Sequence, residues 1–170
     1  MPKAVSHEAK LECEAAVLEK FLGEVRVLRE KLGPLLLQMA PSFAFDERVA
    51  RGFLSMMRGM YEGALVVEPR NASWFGDEAD ELMKEFRVAR VAADPARVVE
   101  AAVCGGWEGI RYWRLHGSPR MYWSAYSAEF LRGIAEAMKA GKSECWCVFD
   151  NTASGAALAD ALVLKEMLRG

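Results

Sequence analysis

The chain has 170 residues, 22 Lys and Arg against 24 Asp and Glu, and a formal charge of −2 at pH 7, which supplies no basic footprint for general nucleic-acid binding. Hydrophobic residues make up 52% and charged residues 27%, the balance of an ordinary globular domain rather than a disordered chain. No run approaches the roughly 18 apolar residues of a membrane span, and the opening MPKAVSHEAKLE lacks the apolar core of a secretory signal. These points predict a single cytoplasmic domain over residues 1–170.

The first predicted element is a long helix over 8–31, with Leu11, Ala15, Leu18, Leu22, Val25 and Leu28 at helical spacing and Gly33-Pro34 as its stop. A short apolar run, Leu35 to Met39, reads as a buried strand closed by Pro41-Ser42. Asp46 is placed to cap a helix carrying Val49, Phe53, Leu54 and Met57. A second strand, 64–68, ends in Pro69-Arg70-Asn71. The segment 77–86, DEADELMKEF, follows as a helix with acidic residues at its front. A third strand is predicted over 88–94, and 95–109 reads only as a short helix and a loop through Gly105-Gly106. A fourth strand over 111–116, a helix over 127–140, a fifth strand over 144–149 and a closing helix over 155–168 complete the chain. Strand and helix alternate throughout, which predicts an α/β fold with a parallel sheet and outer helices.

A closed eight-stranded (β/α) barrel takes about 250 residues. Five clear strands, with the tail of a sixth at Pro2-Lys3, therefore predict a TIM-type (β/α) barrel lacking its first two to three strands. Such a barrel has an open edge, through which a homodimer can form.

Side chains alternate along a strand, so parity assigns faces. One face of the fourth strand takes Tyr112, Arg114 and His116, leaving Arg111, Trp113 and Leu115 toward the helices. The same rule groups Val66, Glu68 and Arg70; Arg90, Ala92 and Asp94; Leu36 and Gln38; and Cys147, Phe149 and Asn151. Every strand then places a polar residue near its C-terminal end, where barrel enzymes do their chemistry. Arg70 and Arg114 suit a phosphate or carboxylate. His116 titrates near neutrality, and Glu68 or Asp94 are placed to orient it or to act as the opposite base. Gln38 and Asn151 suit hydroxyls or ring edges, and Trp74, Tyr122 and Trp123 suit a sugar or base. Glu68–Arg70 and Asp94–Arg114 read equally as structural ion pairs, and Trp74 as packing. Cys145 and Cys147 share one strand face, without the further ligands a zinc site needs, and read as buried thiols.

Six blocks, in order, carry a resemblance: Lys3 with Val5-Ser6-His7; Leu32-Gly33-Pro34-Leu35-Leu36-Leu37-Gln38-Met39-Ala40-Pro41-Ser42-Phe43; Glu68-Pro69-Arg70-Asn71-Ala72-Ser73-Trp74; Asp94 at a strand end; Arg114-Leu115-His116-Gly117 with Tyr122; and Phe149-Asp150-Asn151-Thr152-Ala153-Ser154-Gly155-Ala156-Ala157. The chain resembles the C-terminal two-thirds of the YecE-like proteins, domain of unknown function 72. Three positions depart from that family's pattern: Asn71 stands for a His, and Asp150 and Thr152 for Asn and Asp. The family's opening Gly-Trp and Glu-Ile-Asn-Ser-Thr-Phe-Tyr segments have no counterpart here, so an N-terminally truncated, inactive fragment is one reading of the chain. The resemblance implies a TIM-type barrel and brings no reaction and no cofactor with it.

The functional expectation is an enzyme acting on a small phosphorylated or otherwise anionic substrate. His116, Glu68 and Asp94 would be catalytic, and Arg114, Arg70, Gln38, Asn151, Tyr122 and His7 would bind. The alternative is a non-catalytic binder of a metabolite or of a nucleic-acid end.

Overall fold

The computed structural model describes all residues from Met1 to Gly170. The chain forms two compact units, the first comprising Met1–Arg90 with Gly105–Trp107 and the second Val91–Cys104 with Glu108–Gly170.

The first unit holds a four-stranded sheet, order β1-β2-β3-β5, from β1 (Leu35–Gln38), β2 (Leu65–Glu68), β3 (Val88–Arg90) and β5 (Gly105–Gly106). β1, β2 and β3 pair in parallel, and β5 runs antiparallel to β3. Helices α1 (Ala15–Arg26), α2 (Glu47–Met60) and α3 (Asp77–Glu85) supply the apolar faces that cover these strands. In α2 the buried positions Ala50, Phe53, Leu54 and Met57 recur at helical spacing. Its N-terminus is fixed by Asp46, whose carboxylate accepts from the Val49 N–H at 3.0 Å. α3 opens on Asp77, Glu78 and Asp80, three carboxylates where the helix dipole favours them. The core joins Leu18 and Leu22 of α1 to Leu37, Phe53, Met57, Leu65, Val67, Met83 and Val88. Each such side chain contributes roughly 1.5–3 kcal/mol through burial.

The second unit holds a parallel three-stranded sheet, order β4-β6-β7, from β4 (Ala92–Asp94), β6 (Ile110–Leu115) and β7 (Glu144–Phe149). α4 (Ala128–Lys139), capped by Ser127, packs on this sheet through Leu131, with Leu115 and Tyr126 buried beside it. Arg111 donates to the carbonyls of Ala137 and Met138 at 2.6 and 2.9 Å, satisfying the end of α4. α5 (Ala156–Arg169) closes the chain.

The α/β class with parallel strands and helices matches the sequence expectation, and both sheets are open rather than closed into a barrel. Three local expectations change. The helix predicted over 8–31 is shorter, because a π-helical turn occupies Ala4–Glu8 and positive φ angles at Lys10 and Leu11 break the chain before α1. No strand forms at Pro2-Lys3, where the chain instead enters that turn. The strand predicted over 88–94 is two strands: β3 pairs with β2, and β4 pairs with β6.

Arg58 of α2 holds one corner of the first unit. Its guanidinium donates to the carbonyls of Tyr61, Gly63, Phe86 and Arg87 at 2.7–3.2 Å, and burial depresses its basicity. A planar five-donor fork spans these acceptors where an ammonium cannot. Arg58→Ala should therefore cost about 3 kcal/mol, read as a lowered urea midpoint, and Arg58→Lys should recover only part of it.

Candidate functional site

Residues paired in register across a sheet share a face. β6 and β7 pair with Leu115 beside Phe149, and Leu115, Phe149 and Cys147 all pack in the cluster around Leu131. Arg114 and His116 must then turn to the opposite face, and so must Asp150. This corrects the sequence parity for β7, which put Cys147, Phe149 and Asn151 with His116. The residue that meets Arg114 and His116 is Asp150.

Asp150 Oδ2 lies 2.5 Å from Arg114 Nη2 and 3.2 Å from His116 Nδ1. The His116 ring beside it, aided by the Arg114 charge, holds the Asp150 carboxyl below its ordinary value in spite of burial. His116 is 1% exposed, and its ring meets Tyr122 edge-on with centroids 5.7 Å apart.

Asp94 has a different task from the expected one. Its Oδ2 accepts from the Tyr126 hydroxyl at 2.9 Å, and its backbone carbonyl accepts from the His116 N–H at 2.7 Å. Tyr126 Oη in turn accepts from the Gly117 N–H at 2.8 Å. Burial, with the Asp94 and Asp160 carboxylates adding to it, drives the Tyr126 phenol well above its usual value, so it stays a proton donor. Asp94 therefore fixes the backbone under His116, while Asp150 orients the imidazole.

Asn151, expected to contact a ligand, is fully buried. Its Nδ2 donates to the Ser124 carbonyl at 2.9 Å and to Asp160 Oδ2 at 2.6 Å, and Asp160 Oδ2 also accepts from the Tyr126 N–H at 3.2 Å. These bonds tie the loop after β6 to α5. Gly117 is required at the start of that loop: at φ +93° an added Cβ would lie 2.9 Å from the Ser124 carbonyl and 3.0 Å from Asn151 Cβ.

In the first unit, Gln38 and Glu68 are paired in register at the C-terminal ends of β1 and β2. Glu68, 1% exposed, forms an ion pair with Arg70, as the sequence allowed. Asn71 then accepts from the Ser73 N–H at 3.1 Å and donates to the Pro41 carbonyl at 2.9 Å, joining the loops after β1 and β2. Trp74 is packing: it donates to the Phe43 carbonyl at 3.0 Å and meets Phe43 and Phe45 edge-on. His7 Nδ1 lies 2.8 Å from Ser6 Oγ in the N-terminal turn. Arg90, read by parity as facing the strand-end set, turns toward α3. It bonds Asp80 at 3.0 Å, with the Phe75 ring under its guanidinium at 5.0 Å.

Asp150, Tyr126 and Asp160 are the residues that sequence reasoning missed. Two signals were available. Leu115 was assigned to the helix side, and Phe149, its register partner, belongs there too. Asp160 is the single charge in the stretch Ala156 to Leu164, AALADALVL, where only a satisfied carboxylate is tolerated.

Parallel α/β units with charged pairs at the C-terminal strand ends define the class of protein. The chain belongs to the family described as protein of unknown function DUF72, whose family model matches residues 1–170. It is similar to the crystal structure of a DUF72 family protein from Thermotoga maritima MSB8, with 25% identity and a TM-score of 0.81, covering 99% of this chain and 72% of that one. Two crystal structures of a DUF72 family protein from Enterococcus faecalis V583 share the fold at 21% and 22% identity. Their TM-scores are 0.76 and 0.74, and the matches cover 93% and 94% of this chain and 67% and 70% of those. No functionally curated protein matches the chain.

Gly117→Ala should destabilise the second unit by roughly 2–3 kcal/mol, since the added methyl meets backbone and the φ disfavours any Cβ; denaturant unfolding measures this. Asp150 yields a pH prediction. Its folded value is depressed, so its stabilisation is present above the unfolded carboxylate range, near 4, and is lost as pH falls through the folded value. Asp150→Asn should cost roughly 1–3 kcal/mol at pH 7, and the gap to the native protein should narrow as pH falls below the ordinary carboxylate range.

Proposed function

We propose that this chain binds a small phosphate- or carboxylate-bearing molecule at the C-terminal ends of β6 and β7, with Arg114 as the anion-gripping group and the His116–Asp150 pair as the proton-transfer group. One observation carries the reading: a single carboxylate oxygen of Asp150 holds both Arg114 and His116. That arrangement sets an imidazole beside a guanidinium, a combination suited to phosphate esters. Glu68, Arg70 and Gln38 form a second polar set at strand ends in the first unit. We also propose that the parallel strands are staves of a TIM-type (β/α) barrel of which this chain carries all but the first two to three. Strand–helix alternation and charged residues gathered at C-terminal strand ends support this reading. So does the greater length of the Thermotoga maritima relative, of which the match covers 72%.

The burial of His116, 1% exposed, favours a second reading in which the site binds an anion without turnover. Thermal shift and calorimetry with inorganic phosphate and p-nitrophenyl phosphate separate the two. Stabilisation by phosphate that disappears in Arg114→Ala supports anion binding; no stabilisation of the native protein, or an unchanged one in Arg114→Ala, overturns it. Release of p-nitrophenol that falls at least 100-fold in His116→Gln, while phosphate still binds, supports catalysis. Phosphate binding without turnover leaves the binder.

A further inference from the structure

The loop after β6 exposes two large aromatic rings, Tyr122 at 48% and Trp123 at 46%, and the first lies against His116 of the Arg114–His116–Asp150 cluster. The backbone that carries both rings is pinned by hydrogen bonds. The Tyr122 N–H donates to the His116 carbonyl at 2.5 Å, and the Tyr122 carbonyl accepts from the Ala153 N–H at 3.0 Å. Ser154 Oγ donates to the Trp123 carbonyl at 2.5 Å, and the Arg120 N–H donates to Ser124 Oγ at 3.1 Å. The exposed Arg120 guanidinium lies 4.5 Å from the centre of the Trp123 ring, fixing that ring and adding positive charge. Tyr122 adopts φ +65°, the left-handed region that a bulky residue enters only under constraint, and this conformation sets its ring edge-on against His116. Half of the Tyr122 residue nevertheless remains in solvent.

We propose that Tyr122, Trp123 and Arg120 form a stacking platform for a planar ring carried by the anion that Arg114 grips, so that the ligand is a mononucleotide-like ring phosphate. The proposal rests on the anion-binding reading above and names its substrate class. Aromatic faces and an arginine plane accept a base with little regard to its edge, so the platform selects for a planar ring rather than for one base.

The test is tryptophan fluorescence and calorimetry on the full chain with inorganic phosphate, ribose 5-phosphate, adenosine and 5′-AMP. The expected result is 5′-AMP binding at least tenfold tighter than ribose 5-phosphate, with quenching of tryptophan emission. Trp123→Ala should remove that advantage and leave ribose 5-phosphate affinity unchanged. Tyr122→Gly, which relieves the backbone strain, should keep or raise the melting temperature while weakening 5′-AMP at least fivefold. A melting temperature lowered in Tyr122→Gly with 5′-AMP affinity intact would make the residue structural and overturn the platform. Equal affinity for 5′-AMP and ribose 5-phosphate would overturn it while leaving anion binding in place. Binding and quenching by adenosine with no response to phosphate would keep the platform and overturn the anion reading. No response to any of the four overturns both.

Discussion

The register between β6 and β7 is the constraint on which the second unit depends. Parallel pairing sets Leu115 beside Phe149, and the pleat then leaves no freedom: apolar partners go to the helix side together. Arg114, His116 and Asp150 are forced onto the other face by the same geometry that buries Leu115 in the cluster around Leu131. A slip of one residue would exchange those faces and put charge into the apolar layer, at a cost of several kcal/mol per unpaired ion. Core and polar cluster are thus two results of one pairing.

Charge near the sheets is tolerated because it is paired locally. Glu68 has Arg70, Arg90 has Asp80, and Arg114 has Asp150. Burial raises the Asp80 carboxyl, yet the Gly106 N–H, Lys84 and Arg90 outweigh burial and hold it below its ordinary value. Asp94 and Asp160 are handled differently: both accept from neutral donors, the Tyr126 hydroxyl and N–H and the Asn151 amide. The first group is electrostatic. The second is hydrogen bonding alone and suits a scaffold. Their separation shows why two acidic residues near one histidine, Asp94 and Asp150, do different work.

Much of this was legible in the sequence. The alternation of apolar runs with amphipathic segments gave the α/β class. Asp46 announced the start of α2, and Arg114-Leu115-His116-Gly117 marked the strand end where the polar cluster lies. Illegible parts have physical causes. Residues 95–109 hold a 3-10 turn over Val99–Ala102 and a two-residue strand, both too short to show a period. The 88–94 run is apolar apart from Arg90 and the terminal Asp94, so nothing local reveals that its halves pair with different strands. Choosing between Asp150 and Asn151 required the register, a long-range property; parity counted from one strand alone was off by one residue. The bonds that join Tyr126 to Asp94 and to Asp160 span 32 and 34 residues, a separation that no local pattern reveals.

The Asn151–Asp160–Tyr126 bonds have a dynamic consequence. They join the loop after β6, the loop after β7 and the first half of α5 through two buried side chains and one backbone amide. Segments knotted in this way do not fray independently; they open as one cooperative unit. The backbone amides of Gly117, Tyr126 and Ala153, each bonded within this knot, should therefore share one opening free energy, so that stiffness at the strand-end loop is set in part by how well the C-terminal helix stays folded.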